Sequence, residues 1–522
     1  MAEKLKIIPL GGLNEIGKNM TAYEYGGEII VVDCGMAFPG DDMYGIDCVI
    51  PDVSYLVKNK SRLRGLFITH GHENHIGAIP YVLKQINLPI YCTRFTAGLI
   101  RLKLQEHRLL DSTKLVTVEA GQTVKAGKFQ VEFIHVNHSI ADSVAFAIHT
   151  RMGTVVHTGD FKIDSTPIDG EVIDLARFGA LGKEGVLALL ADSTNVERPG
   201  YTMSERTVGK TFIRQFTGCK KRIIVTTFAS NVHRIQQVID AAAACGRKVA
   251  VTGRSMENIM KVSTELGYMK LPKGTVMDIN RIKGLPPQQQ VIITTGSQGE
   301  EMSALYRMAF STHKQIDIGP QDKVIISASG MCDAGRIRHH LKYNLWRADS
   351  AVVFVGFQSP GTLGRTLLDG TPSVKLFGED VAVRAKVVNF QGLSSHADHD
   401  HLLDWISHFK EPKPQHVFVV HGDREVAPVF AQTVSQLGFT AHAPQYTEEY
   451  DLLTCTQLAA GYLPQRKTRT FEGAPRVTAA YQKLVQLGDS LVGLIRRSKG
   501  RDNKTLASFA EALRKVMEKF EI

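Results

Sequence analysis

Three histidines within six residues constrain this chain more than any other feature of its sequence. His70, His72 and His75 follow the apolar run 66–68 at offsets of two and five. Neighbours on one helical face recur at offsets of three or four, so this spacing suits a loop at a strand end instead. With 19 His among 522 residues, a chance match to the three positions arises about 0.025 times per chain. We therefore interpret the segment as a metal-binding loop.

Other potential ligands also end apolar, strand-like segments. They are Asp33, His138, Asp160 and His421. Each alone is typical of an ordinary cap or turn residue. Together with the histidine loop they predict a dinuclear hydrolase centre, because imidazole nitrogen binds zinc well and a carboxylate can bridge two cations.

Composition sets the broad class of the protein. The net charge of +10 fits a polyanionic partner such as nucleic acid, and it fits a solvated basic surface equally well. The 7 Cys lack C-x-x-C spacing, which predicts reduced thiols and a cytoplasmic location. We expect neither a signal peptide nor a membrane span, since no apolar run approaches about 18 residues.

The rhythm of strands and helices divides the chain. Up to residue 203, short strands alternate with helices at 76–85 and 96–110, which predicts a layered α/β domain. Regular strand–helix alternation over 204–370 predicts an inserted parallel sheet with helices on both faces. Residues 371–460 are expected to return to the first domain. The basic region 461–522 is expected to hold two helices, at 477–497 and 506–520.

The ordered set of ligands resembles the metallo-β-lactamase superfamily, and the inserted domain resembles its β-CASP nuclease branch. Segments 10–19, 137–140, 159–162 and 191–195 are similar to bacterial RNase J. Segments 327–331 and 395–398 are closer to the β-CASP endonucleases of mRNA 3′-end cleavage. The resemblance spans roughly residues 5–445. It implies an αββα sandwich with an inserted β-CASP domain and a small helical C-terminal tail.

The resemblance also implies roles for single residues. The first metal would be held by His70, His72 and His138, the second by Asn74, His75 and His421, and Asp160 would bridge them. Asp33 would orient a ligand histidine. His396, supported by Asp192, would act as general acid or as donor to the scissile phosphate. Two Zn²⁺ per chain are expected, with Mn²⁺ an alternative at the second position.

Candidate phosphate contacts fall into two groups. Gly296 with Ser297, and Ser329, lie in Gly-rich turns between a strand and a helix, and Arg336 begins the helix after the second turn. Such turns are also normal in any parallel α/β sheet. The resemblance to RNase J further implies that Ser394 and Ser395 bind a 5′-terminal phosphate.

Asn74 departs from the family pattern, which has Asp at this position. An amide loses the negative charge, so we expect weaker binding of the second metal and slower catalysis. Three explanations stand: a deliberate inactivation, a natural variant of low activity, or a catalytically weak partner subunit. The intact remainder of the site favours the first two.

The sequence predicts a metal-dependent ribonuclease, a 5′-exonuclease and/or an endonuclease. The alternatives are a small-molecule hydrolase, which the inserted domain, Asp192 and His396 disfavour, and a non-enzymatic RNA-binding subunit. The preference for RNA over DNA rests on the resemblance alone. A homodimer through the inserted domain or the C-terminal region is a further hypothesis.

Overall fold

Two large β-sheets share one core in residues 1–463, the larger of the two units of the chain; residues 464–522 form the other. The computed structural model describes residues 3–37, 46, 48–219, 221–227, 229–294, 337–348, 350–354, 363–389, 394–462, 491, 494–495, 498 and 502–520. In order, the eight-stranded sheet contains Thr456–Ala459, Glu449–Asp451, Leu5–Gly11, Met20–Tyr25, Glu28–Val32, Leu63–Phe67, Ile90–Cys92 and Leu115–Thr117. The seven-stranded sheet contains Ala441–His442, His416–Val420, Ala188–Asp192, Gly153–His157, Val144–Thr150, Phe129–His135 and Thr123–Ala126.

Alternation along the strands explains why both faces of each sheet are buried. Ile30 and Val32 pack between the sheets with Phe133 and Phe146. Their neighbours Ile29 and Val31 point to the opposite face, into a second core, because successive side chains of a strand alternate. Each sheet therefore needs a helical layer on its outer side.

Helices supply those outer layers. Ile79–Leu83 and Arg94–Glu106 pack in the core on the outside of the eight-stranded sheet. Leu175–Glu184, His399–Ser407 and Val426–Gln436 do the same for the seven-stranded sheet. These layers confirm the αββα sandwich. Shorter helices are Ser54–Lys58 and Glu73–Ile76, with 3₁₀ turns at Lys60–Arg62, Leu110–Ser112 and Pro287–Gln289.

The single helix predicted at 76–85 is instead two short helices, Glu73–Ile76 and Ile79–Leu83. Pro80 lies in the first turn of the second helix, where its missing N–H has no intrahelical partner to lose. The break leaves the histidine loop and its short helix independent of the following one.

The inserted region begins with a three-stranded parallel sheet. Its strands, in order, are Ile223–Thr226, Gln290–Thr294 and Lys248–Thr252. Its helices are Arg206–Gly218, Val232–Ala244, Arg254–Glu265 and Ile279–Ile282. The predicted parallel sheet is thus confirmed over the described residues, whereas residues 295–336 of the predicted alternation lie outside them.

A smaller hydrophobic core comes next along the chain, and it contains residues from both sides of position 370. Its elements are Ile337–Asn344, Ala351–Phe354, Leu363–Leu368, Ser373–Leu376, Glu379–Ala382 and Lys386–Asn389. Ala351–Phe354 pairs with Lys386–Asn389 in parallel, and Leu367 shares a core with Val374. The domain boundaries stay a prediction, and we propose that the chain returns to the first domain after residue 389 rather than at 370.

The second unit contributes one long described helix, Asn503–Phe520. It includes the helix predicted at 506–520, while most of the one predicted at 477–497 lies outside the described residues. Across the described ranges, no helix combines the length and apolar character needed to cross a bilayer.

Candidate metal centre

The ends of neighbouring strands bring the predicted ligands together. Glu28–Val32 and Leu63–Phe67 run parallel in one sheet, and Gly153–His157, Ala188–Asp192 and His416–Val420 run parallel in the other. Parallel strands present their carboxyl ends at the same edge of a sheet. The residues at or just beyond these ends are Asp33, His70, Asp160, Asp192 and His421.

Asp160 lies at the centre of the cluster and is only 2% exposed. Its Oδ2 atom is 3.1 Å from His421 Nε2 and 3.2 Å from His75 Nε2. On the other side it is 3.6 Å from His70 Nε2 and 3.8 Å from His138 Nε2. One carboxylate oxygen therefore faces two separate sets of imidazole nitrogens.

The first set is completed by His72. Its Nδ1 lies 3.0 Å from His70 Nε2 and 3.1 Å from His138 Nε2. Potential ligand atoms of these three histidines and Asp160 lie within 4.8 Å of one another, as do those of His75, Asp160 and His421. The structure thus forms two groups that share Asp160. The resemblance implied the same division of these histidines between two metals, which stays a prediction.

The residues fit the divalent metals that this arrangement implies. Asp160 Oδ1 and His421 Nε2 are buried and have no hydrogen-bond partner among the described residues. His421 Nε2 lies close to Asp160 Oδ2 but without the geometry of a hydrogen bond. An unpaired buried polar atom costs about 1–3 kcal/mol, and a cation bound to such an atom would remove that cost.

Burial keeps the first set of histidines neutral. It lowers the pKa of His72 to about 3 and holds the pKa values of His70 and His138 well below the usual range. A neutral imidazole presents a lone pair, which is the form that binds a metal. These three side chains are therefore ready for a cation at neutral pH.

His75 differs because two carboxylates surround it. Burial lowers its pKa, but Asp160 and Asp33 outweigh burial and raise it to about 10. Asp33 Oδ2 lies 2.8 Å from His75 Nδ1, and Asp33 Oδ1 accepts a hydrogen bond from the Thr69 N–H at 2.8 Å. A carboxylate on the outer nitrogen of a ligand histidine orients the ring. That Asp33 orients a ligand histidine stays a prediction, and its contact with His75 Nδ1 supports it.

Asn74 lies in the short helix Glu73–Ile76, beside the second group. Its Nδ2 is 3.4 Å from the carbonyl oxygen of Ile16. Gly35 packs directly against its main chain, where an added Cβ would lie 1.6 Å from the Asn74 oxygen. The backbone around Asn74 is therefore fixed by close packing, and its amide faces the loop after Gly11.

His396 and Asp192 form a pair at the edge of the centre. His396 Nδ1 lies 2.7 Å from Asp192 Oδ2, and Asp192 Oδ1 accepts hydrogen bonds from the N–H and hydroxyl of Thr194. His396 Nε2 faces the centre, 3.9 Å from Asp160 Oδ2. Burial lowers the pKa of His396, but Asp192 outweighs it and raises the pKa above the usual value.

The candidate substrate contacts are only partly within the described residues. Ser395 uses its main-chain oxygen to accept a hydrogen bond from His138 Nδ1 at 2.9 Å, and Ser394 Oγ contacts the Asn195 side chain. Both serines are half-buried next to His396. The remaining candidates, Gly296, Ser297, Ser329 and Arg336, lie outside the described residues.

Sequence reasoning assigned no role to three residues that contact the side chains of the centre. Asn19 contacts His421 and His75, Thr69 contacts Asp33 and His70, and Thr194 donates a hydrogen bond to Asp192. Asn19 stands at the end of the segment 10–19 that resembles RNase J. No spacing relates it to the histidines, because it lies in a loop between two other strands. Its contacts became visible only once the fold was known.

Family models match three successive parts of the chain. Residues 13–193 match the metallo-beta-lactamase superfamily, and residues 220–334 match the beta-CASP domain of ribonuclease J. Residues 380–444 match a Zn-dependent metallo-hydrolase RNA specificity domain. The chain therefore carries a metallo-β-lactamase domain and a β-CASP domain.

Similar proteins carry ribonuclease J names. This β-CASP chain is 50% identical over 329 residues to ribonuclease J of Synechocystis sp., covering 63% of this chain and 51% of the relative. It is 48% identical to ribonuclease J 1 of Streptococcus pyogenes, covering 62% and 58%. For ribonuclease J of Helicobacter pylori strain J99 the identity is 47%, covering 63% and 47%. The matched part therefore spans about half the length of these relatives.

A solved structure with the same fold has little sequence in common with this β-CASP chain. It is a crystal structure of a protein of unknown function from Enterococcus faecalis, with a TM-score of 0.54 and 14% identity. The match covers 86% of this chain and all of the other. It supports the architecture alone.

We predict that zinc binding at the second group releases a proton. Without a cation, His75 carries its proton at pH 7.5, because its pKa is raised to about 10, and a metal on Nε2 must displace that proton. The histidines of the first group are already neutral. Calorimetric titration in buffers of different ionisation enthalpy should show release at the second binding step only.

The affinity of that second step should rise about tenfold per pH unit between pH 6.5 and 8.5, while the first step stays nearly flat. Asp33→Asn removes one of the two charges that raise the His75 pKa, so it should reduce the proton release. Equal proton release at both steps would contradict the assignment.

Proposed function

We propose that this chain is a metal-dependent ribonuclease that hydrolyses RNA phosphodiester bonds. The observation that carries the proposal is the single carboxylate of Asp160, buried between two groups of imidazoles, with His396 Nε2 3.9 Å from the same oxygen. The similarity to ribonucleases J and the match to an RNA specificity domain support RNA as the substrate. The basic charge of +10 is consistent with a polyanion.

Zinc is the metal that this set of ligands favours, because imidazole and carboxylate suit it. The first ion would be held by His70, His72, His138 and Asp160, and the second by Asp160, His75, His421 and the weak amide ligand Asn74. When bound, two such ions supply a nucleophile near neutral pH and neutralise charge on the phosphate. Mn²⁺ is the alternative at the second position.

His396 is proposed to protonate the leaving oxygen. Its Nδ1 is held by Asp192, so the other ring nitrogen is directed towards the centre. The raised pKa of His396 keeps this nitrogen protonated nearer to neutral pH, as a general acid requires. Asp192 acts as a positioning residue, because it is buried and its second oxygen is occupied by Thr194.

We propose 5′-exonuclease action as the main mode, with endonuclease action as the second. Ser394 and Ser395 adjoin His396, so a 5′-terminal phosphate bound by them would lie close to the site of cleavage. A pocket for the terminal phosphate favours cleavage from the 5′ end. The endonuclease-like segments 327–331 and 395–398 are the reason for keeping the second mode.

A catalytically weak RNA-binding subunit is the second candidate function. Asn74 supports it, since an amide near the second group supplies no negative charge. The otherwise complete set of ligands and the intact His396–Asp192 pair favour an enzyme.

A homodimer and a cytoplasmic location are further proposals. Tyr343 and Trp346 are 65% and 54% exposed in the inserted region, and Leu494 and Ile495 are 45% and 46% exposed in the C-terminal region, so both regions stay candidates for a homodimer interface. The cysteine pattern continues to predict the cytoplasm.

Replacing Asn74 by Asp should increase both zinc content and cleavage. The carboxylate restores a charged ligand, so the second site should fill and the rate should rise at least about tenfold. The measurements are zinc per chain by mass spectrometry and cleavage of end-labelled RNA carrying a 5′-monophosphate. The same RNA with a 5′-hydroxyl should be cut more slowly from its end.

The matched control is Asn87→Asp, the same charge change at an exposed position. It should alter neither quantity. If Asn74→Asp carries two zinc ions and still cuts neither RNA nor DNA, the enzyme proposal is wrong and the binding-subunit proposal replaces it.

His396→Ala, made in the Asn74→Asp protein, should lower kcat by about 10²–10⁴-fold with zinc content unchanged. His399→Ala is the control, because this nearby histidine also contacts an aspartate, Asp400, but lies outside the metal groups. An unchanged kcat for His396→Ala would remove the general-acid assignment.

A further inference from the structure

Asn19 is a buried residue whose side chain contacts both histidines of the second metal group, His75 and His421. It is 8% exposed and lies just before the strand Met20–Tyr25. Its Oδ1 is 2.8 Å from His421 Nδ1, and its Nδ2 is 3.2 Å from His75 Nε2. It thus links two histidines that are far apart in the sequence.

The orientation of the Asn19 amide is fixed by its other partners. Nδ2 donates to the carbonyl oxygens of Ile16 and Asn74, each at 3.0 Å. A reversed amide would place an oxygen against two carbonyl oxygens, which offer no donor. The oxygen of Asn19 therefore faces His421.

This orientation sets the tautomer of His421. Because the Asn19 oxygen can only accept, His421 Nδ1 must carry the hydrogen. Nε2 then faces Asp160, where that nitrogen is buried without a hydrogen-bond partner in the described part of the chain, and in the neutral ring it is the nitrogen that offers a lone pair to a metal. A hydrogen bond on the outer nitrogen is what fixes a ligand histidine for its metal.

The amide nitrogen of Asn19 fixes the segment 74–75, which carries the other histidine of the group. Both of its hydrogens go to the carbonyl oxygens of Ile16 and Asn74, so neither is directed at His75 Nε2, which faces Asp160 Oδ2 at 3.2 Å. The main chain adds two links, since Asn19 N–H donates to the Asn74 oxygen at 3.0 Å and its carbonyl accepts from Gly35 N–H at 2.9 Å. Gly12 permits this packing, because a Cβ there would be 2.2 Å from Asn19 Oδ1.

We propose that Asn19 is the positioning residue of the second metal site, orienting His421 through its oxygen and the segment 74–75 through its nitrogen. The inference rests on the proposed function only in taking this group to hold a metal. The first group has no contact with the Asn19 side chain among those described. Asn19 therefore acts on one site and not on the other.

The test is zinc titration against a competing chelator, with Asn19→Ala and Asn19→Asp compared in this chain and in Asn74→Asp. Asn19→Ala should weaken the second site about 10- to 100-fold and leave the first site unchanged. Asn19→Asp keeps the acceptor for His421, so it should retain more second-site affinity than Asn19→Ala. It should also lower the melting temperature, because a carboxylate then faces two carbonyl oxygens.

Asn231→Ala is the matched control, since Asn231 is a buried asparagine that caps a helix in the inserted region. It should leave both zinc affinities unchanged. First-site affinity reports whether each variant is folded. When Asn19→Ala is added to the His421→Ala variant, it should lower the second-site affinity less than Asn19→Ala lowers it in the unchanged chain.

Equal weakening of both sites by Asn19→Ala, unchanged affinities, or a second site that takes no zinc even in Asn74→Asp would overturn the proposal. Failure of the proposed function gives a different result. In that case the zinc affinities respond as expected, but the two-zinc Asn74→Asp protein cuts no RNA.

Discussion

The site depends on the electrostatic interaction between the buried carboxylate of Asp160 and the histidines that surround it. An isolated ionised carboxylate is too costly to bury without compensating charge, and burial alone would raise its pKa. The surrounding histidines reverse this, because His421 and His75 hold the pKa of Asp160 well below its usual value. The parallel strands of both sheets end at this point, so the fold concentrates its ligands where the charge must be balanced. The two groups that share this oxygen then differ in their outer contacts, neutral histidines in one and carboxylate- and amide-held histidines in the other.

Much of the fold and most of the candidate ligands could be predicted because both leave local patterns. Alternating apolar residues identify strands such as Glu28–Val32 and Phe129–His135, and a histidine or aspartate directly after such a strand is visible in the sequence. The parallel sheet of the inserted region follows from its regular strand–helix alternation. The order of ligands along the chain then suffices to relate them to a known family.

The residues that contact and orient the ligand side chains leave no such local pattern in the sequence. Asn19 contacts His421, which lies 402 positions later in the sequence. Ser395 contacts His138 through its main-chain oxygen. The shared core across residue 370 was missed for a similar reason, since close packing rather than periodicity decides it. Pro80, in contrast, is a local signal that a new helix begins there. Contacts made by loops and by the backbone depend on the assembled fold, and propensity does not determine them.

The central claim is that one carboxylate serves two metal sites. Crystals of the Asn74→Asp protein grown with zinc, measured on both sides of the zinc absorption edge, test it most directly. The account predicts two anomalous peaks, one bonded to His70, His72 and His138 and the other to His75 and His421, with Asp160 bonded to both. A single peak, or a second peak that does not touch Asp160, would contradict it.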